Sequence, residues 1–142
     1  MKKFKKTRLA PPYTNDKPTF KKMYRPGAYI IYKQTGEKKE PVYVGFSASN
    51  VYKTLYRHFQ SWNDKTQVRT TYDKTGPYKV RIILAGPKTA EKLEKALLKR
   101  LKPKDNPRKL TSFLTKQDIR YIQELNSTSV DFSLTNETEA PF

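Results

Sequence analysis

Residues Gly27 to Gly45 constrain the fold of this chain more than any other stretch. They read Gly-Ala-Tyr-Ile-Ile-Tyr-Lys, then the polar link Gln-Thr-Gly-Glu-Lys-Lys-Glu, then Pro-Val-Tyr-Val-Gly. Val, Ile and Tyr suit a pleated, half-buried surface, and a polar link containing glycine turns one such segment back on the next. A β-hairpin is expected, with strands near 27–33 and 41–46. One tyrosine stands on each arm, Tyr29 and Tyr43. Tyrosine is an ordinary strand residue, so the pair acquires meaning only from the segments downstream of it.

The segment Gly45-Phe46-Ser47-Ala48-Ser49-Asn50 turns the chain, and Ser49 or Asn50 offers a side-chain acceptor to the first amides of a helix. That helix is expected from Val51 to Trp62, with Val51, Leu55, Phe59 and Trp62 as its apolar stripe. His58 lies beside the stripe, and Thr54, Arg57 and Ser61 form the adjoining flank. After a polar stretch, in which 67–72 has the makings of a short strand, Tyr78 to Leu84 alternates as a half-buried strand. A second helix opens at Thr89 and is ended by Pro103. Leu93, Leu97 and Leu101 line its buried face, with Glu94 on the flank between Ala90 and Leu98. Glu91 instead shares a face with Lys95, Lys99 and Lys102. An inward carboxylate needs a partner because an uncompensated buried charge is costly, so Glu94 calls for a Lys, an Arg or a metal ion. A third helix is expected over 115–125.

Charge narrows the partners. Thirty Lys and Arg against thirteen Asp and Glu give a net +17, which favours polyanions and makes nucleic acid the first candidate. Residues 1–25 hold nine basic residues against Asp16 alone, broken by Pro11, Pro12 and Pro18, and read as an extended or partly disordered basic arm. Residues 127–142 contain three acids and no Lys or Arg and read as a disordered acidic tail. The absence of cysteine excludes disulfides, and a single His excludes a zinc site of the usual Cys and His ligands. Neither a signal peptide nor a bilayer-spanning stretch is evident, so a cytoplasmic location without membrane contact is the default expectation.

The order of these elements resembles the GIY-YIG nuclease domain. In that family the first strand carries Gly-Ile-Tyr and the second Tyr-Ile-Gly or Tyr-Val-Gly; here they stand as Gly27-Ala28-Tyr29 and Tyr43-Val44-Gly45. A later family helix carries a Glu and is followed by Pro-x-x-Asn, matched by Glu94, Pro103 and Asn106. The resemblance covers residues 26–107. It implies a small α+β domain with a three-stranded antiparallel sheet in the order β-β-α-β-α, flanked by helices, followed by a helical segment over 108–126.

The resemblance further implies a metal-dependent endonuclease that hydrolyses DNA phosphodiester bonds. Glu94 would hold a single Mg²⁺ or Mn²⁺, and Tyr29 or Tyr43 would take the proton of the attacking water. His58 falls on the family's His position, while the family's Arg, one turn earlier, is replaced by Thr54. Arg57, or Lys53, would supply that cation and contact the scissile phosphate with His58. Lys21, Lys22, Arg25, Lys53, Lys104 and Asn106 are the expected nucleic-acid contacts. Family members occur in repair, restriction, phage and mobile-element settings, usually with an attached targeting domain, so a targeting partner protein is a further expectation. Two other functions fit the same residues: a fold of this type that binds nucleic acid without efficient cleavage, and a basic structural RNA-binding protein.

Overall fold

A computed structural model describes residues 4–20, 23–59, 71–106, 114–126 and 131–132. The hairpin is longer than its apolar core alone suggests: β4 spans Gly27–Thr35 and β5 spans Lys38–Ser47. A tight turn joins them at Gly36, whose φ of 62° is the left-handed conformation that glycine adopts without a Cβ penalty. The polar link expected over 34–40 is therefore mostly strand. Cross-strand pairing of its charged ends extends the ladder beyond the buried part, from Ile31 paired with Tyr43 out to Thr35 with Lys38, past a register shift at Ile31/Tyr32.

β6, Tyr78–Leu84, pairs antiparallel with the other edge of β4. The three expected strands are thus present and antiparallel, but they form only part of the sheet. β1, Lys5–Thr7, adds to β6, and β7, Asp131–Phe132, pairs parallel with β1, giving the five-stranded order β5-β4-β6-β1-β7. The basic arm, expected to be extended or partly disordered, thus contributes an extended strand, and of the tail expected to be disordered, Asp131–Phe132 pair with it, the rest of 127–142 lying outside the described residues. For the arm the cause is its apolar residues: Phe4, Phe20 and Met23 are buried to within 1%. Burying a side chain of that size contributes about 1.5–3 kcal/mol, which outweighs the solvation preference of neighbouring lysines that keep their heads in water.

A small hairpin, β2 Tyr13–Thr14 with β3 Lys17–Pro18, turns through Asn15 and Asp16, both at positive φ. Tyr56 fastens this arm down. Its hydroxyl donates to the Pro12 carbonyl at 2.7 Å and accepts from the Phe20 amide at 3.0 Å.

Helices cover both faces of the sheet. α1, Val51–Tyr56, is capped by Asn50, whose side chain accepts from the Lys53 amide at 2.9 Å. It tightens into a 3-10 turn over Arg57–Phe59, earlier than the single helix expected to reach Trp62, which lies outside the described residues, as do 67–70. α1 packs with Tyr29, Ile31, Val80 and Ile82 on one face. α2, Pro87–Leu101, begins two residues before the expected cap at Thr89, with Pro87 at its first position, and ends at left-handed Lys102. It packs through Leu93, Ala96 and Leu97 against Ala28, Ile30, Val44 and Ile83 on the opposite face. α3, Lys116–Asn126, joins that second layer. Among the described residues no helix is long and apolar enough to cross a membrane.

Candidate active site

The period-two alternation of β4 sends Tyr29 to the α1 face of the sheet and Ala28 and Ile30 to the α2 face. Tyr29 pairs in register with Gly45, and its ring lies across the backbone of that residue. A Cβ at position 45 would overlap the Tyr29 phenol, so the glycine is required by space rather than by backbone conformation. The physical content of the two-strand signature is therefore one device: a glycine on β5 makes room for a phenol on β4.

The 3-10 turn after α1 places His58 against this phenol. Tyr29 Oη and His58 Nε2 are 2.8 Å apart, and both residues are buried, at 2% and 1% exposure. Tyr43, half-buried on β5, stacks on Tyr29 with ring centroids 6.3 Å apart and planes 12° from parallel. Its ring centroid is 4.4 Å from that of the imidazole. Tyr29, Tyr43 and His58 thus form a compact cluster on one face of the sheet.

The sequence reading missed two members of this neighbourhood. Tyr72 is buried beside His58, with ring centroids 6.2 Å apart, and its amide donates to the His58 carbonyl at 2.6 Å. Its hydroxyl donates to Asp105 Oδ2 at 2.8 Å. Burial and this hydrogen bond together push the Tyr72 phenol well above its ordinary value, so it stays protonated and remains a donor. The Asp105 amide in turn donates to the Val42 carbonyl at 2.9 Å. Tyr72 therefore ties the turn bearing His58 to the segment after α2. No periodicity carries that signal: Thr71 and Tyr72, the described end of the strand expected over 67–72, lie in no helix or strand.

Asn106, expected to touch nucleic acid, is engaged by the sheet. Its side-chain oxygen accepts from the Val44 amide at 3.0 Å, and its side-chain nitrogen donates to the Val44 carbonyl at 2.9 Å. Those two bonds pair it with the edge of β5 beside Tyr43. Lys104, in the same turn, is exposed.

Arg57 precedes His58 in the 3-10 turn and is half-buried. Lys53 is exposed on α1. Thr54 directs its hydroxyl to the Asn50 carbonyl at 3.2 Å. Arg25 is exposed, and its carbonyl accepts from the Val51 amide, which fixes it at the start of α1. Lys21 and Lys22 lie outside the described residues. Glu94 is half-buried on α2, whose Leu93, Ala96 and Leu97 pack against the other face of the sheet.

Among the described residues no group of three His, Cys, Asp or Glu side chains could cage a metal ion. Glu94 offers one carboxylate. That is compatible with Mg²⁺, which keeps several waters and is often held by one or two carboxylates together with substrate phosphate.

Compared with known protein families, residues 25–109 match the family described as the GIY-YIG catalytic domain. No curated protein and no solved structure matches the chain.

Proposed function

The chain belongs to the GIY-YIG catalytic domain family, and on that footing we propose that it is a metal-dependent endonuclease that hydrolyses phosphodiester bonds of DNA. The observation that carries the reading is the 2.8 Å contact between the Tyr29 hydroxyl and His58 Nε2. Hydrolysis needs a group that takes the proton of the attacking water, and Tyr29 has behind it an imidazole nitrogen that accepts a proton in the tautomer protonated at Nδ1. In water a phenol, pKa about 10, gives its proton to an imidazole, pKa about 6.5, at a cost of about 5 kcal/mol. Positive charge near the phenol lowers that cost by stabilising phenoxide.

Arg57 and Lys53 are the cations of this chain assigned to that task, and they also hold the scissile phosphate. Tyr43 is the wall of the site: half-buried and stacked on Tyr29, it limits where a phosphate and its water reach the phenol. Glu94 would hold the divalent ion, Mg²⁺ or Mn²⁺, which when bound neutralises charge developing on the phosphate oxygens. Arg25 and Lys104 extend the contact to flanking phosphates, with Lys21 and Lys22 assigned the same role.

The test is to incubate the protein with supercoiled, branched and single-stranded DNA and Mg²⁺ or Mn²⁺, with Glu94→Ala as control. Metal-dependent cleavage by the wild type, abolished by chelation and by the substitution, is expected. Cleavage that is absent, or equal in the two proteins, contradicts the proposal.

One observation favours a second reading. The Thr54 hydroxyl is turned onto its own helix, so the position that carries Arg in the family presents no cation. A protein that binds nucleic acid without cutting it accounts for that feature. It predicts salt-sensitive binding, no nicking, and indifference to Glu94→Ala.

A further inference from the structure

The face of the sheet opposite Tyr29 and His58 carries a second cleft. A cavity of about 220 Å³ opens between the sheet and the C-terminal ends of α2 and α3. Its apolar lining includes Ile30, Tyr32, Leu97, Leu101 and Ile122, and its charged lining consists of Lys6, Lys39, Arg81 and Arg100. No carboxylate lies among the described residues that line it. Arg81 reaches this face because it pairs with Ile30 across the β4–β6 ladder. The Lys39 ammonium stands 5.7 Å from the centroid of the Tyr32 ring.

Two opposing charges act at this place. Helix C-termini carry roughly half a negative charge each, so the ends of α2 and α3 offset part of the positive charge of this lining. Neither Arg81 nor Arg100 forms an ion pair among the described residues. Like charges gathered in a partly apolar cleft repel one another, and an anion relieves that repulsion. Guanidinium groups in particular match phosphate oxygens two at a time.

Size and lining fix the rest of the ligand. A cavity of about 150 Å³ lined by Leu, Ile and Phe accommodates a benzene ring, whereas pockets for drug-sized ligands begin near 300 Å³. The cleft therefore has room inside it for one ring and a charged group, which for a nucleotide are the base and the phosphate, with the ribose that joins them at its open mouth. Tyr32 offers a face for that ring to stack on.

We propose that this cleft binds a single nucleotide, with its phosphate held by Arg81 and Arg100 and its ring set against Tyr32 and the leucines of α2. The nucleotide is either free in solution or an unpaired residue at the end of a DNA strand. The site does not depend on cleavage at Tyr29 and His58, and its test does not use that reaction.

The full chain is titrated, by calorimetry or amide chemical shifts, with a nucleoside 5′-monophosphate, with inorganic phosphate and with a short single-stranded oligonucleotide. Three proteins are compared: wild type, Arg81→Gln/Arg100→Gln, and Lys88→Gln/Lys92→Gln. The last pair lies on the exposed side of α2 and removes the same net charge away from the cleft. The arginine variant is expected to weaken monophosphate binding about tenfold or more, and the lysine variant about twofold or less. Equal losses in both variants would assign the binding to the general positive field and overturn the site, as would no loss in either.

Inorganic phosphate is expected to bind more weakly than the monophosphate; equal affinities overturn the part assigned to the ring. Oligonucleotide binding that falls in parallel with monophosphate binding identifies the strand end as the source, and oligonucleotide binding that persists identifies the free nucleotide. Arg100→Gln alone, at an exposed helix position, keeps the comparison decisive should the double variant not fold. Unchanged affinity in that variant overturns the proposal.

Discussion

Gly45 and Tyr29 behave as one unit, and Gly45→Ala tests it. The added methyl must push the phenol off the β5 backbone or strain the strand, at a cost of about 1–3 kcal/mol of stability. The expected outcome is a lower Tm together with loss of the Tyr29 to His58 bond, seen as a changed His58 imidazole signal in NMR. Tyr72 makes a second residue-scale prediction. Tyr72→Phe leaves a carboxylate without the donor it now has, so a loss of about 1–3 kcal/mol in denaturant unfolding is expected. The same phenol sets a pH dependence. It is held above its ordinary value of 10.0 in the folded chain, so above that pH the unfolded chain has lost a proton that the folded one keeps. Stability from this group is full below pH 10 and declines above it. In Tyr72→Phe the alkaline decline should be shallower.

At the scale of elements, the periodic segments were legible and their ends were not. β4, β5, β6 and the second and third helices lie where alternation and leucine spacing put them. α1 stops early because the chain tightens at Arg57, and that tightening, invisible in the Val51, Leu55, Phe59 stripe, is what brings His58 under Tyr29. α3 shows a local cap that its sequence could have announced. Thr115 and Asp118 exchange bonds, the Asp118 amide donating to Thr115 Oγ1 and the Thr115 amide to Asp118 Oδ2, each at 3.0 Å. Lys99 of α2 adds a 2.9 Å ion pair to the same carboxylate. Burial pushes the Asp118 carboxyl up, but the bonds from Thr115 and Lys99 outweigh it and hold the group below its ordinary value. A depressed carboxyl contributes stability above its unfolded pKa, and that contribution disappears as pH falls through the folded value. Acid unfolding below pH 3.8 should therefore be less steep in Asp118→Asn, which is also expected to cost about 0.5–2 kcal/mol near neutrality through the weakened cap.

At the scale of the whole molecule, the surplus of positive charge was plain in the sequence, but its placement on two faces was not. Composition cannot show that α1 and α2 lie on opposite sides of one sheet, because that arrangement depends on β4 being buried on both faces. For the same reason Glu94 was legible as an inward acid, while the face of the sheet that its helix covers was not. The strand in the basic arm was hidden because lysines dominate its composition, although Phe4 anchors it. With a net +17, DNA binding should be strongly salt-dependent, falling roughly 10³-fold between 50 and 200 mM salt for about six phosphate contacts. A filter-binding or anisotropy titration across that range checks it, and a flat dependence would argue against phosphate contact as the source of affinity. Cleavage by this protein rests most directly on Tyr29. Its Phe variant keeps the ring over Gly45 and removes only the hydroxyl, so single-turnover nicking of supercoiled DNA with Mg²⁺ isolates the proton-accepting group. A rate reduced by about 10²-fold or more with unchanged DNA binding is the predicted result; a rate within a few-fold of wild type would contradict it.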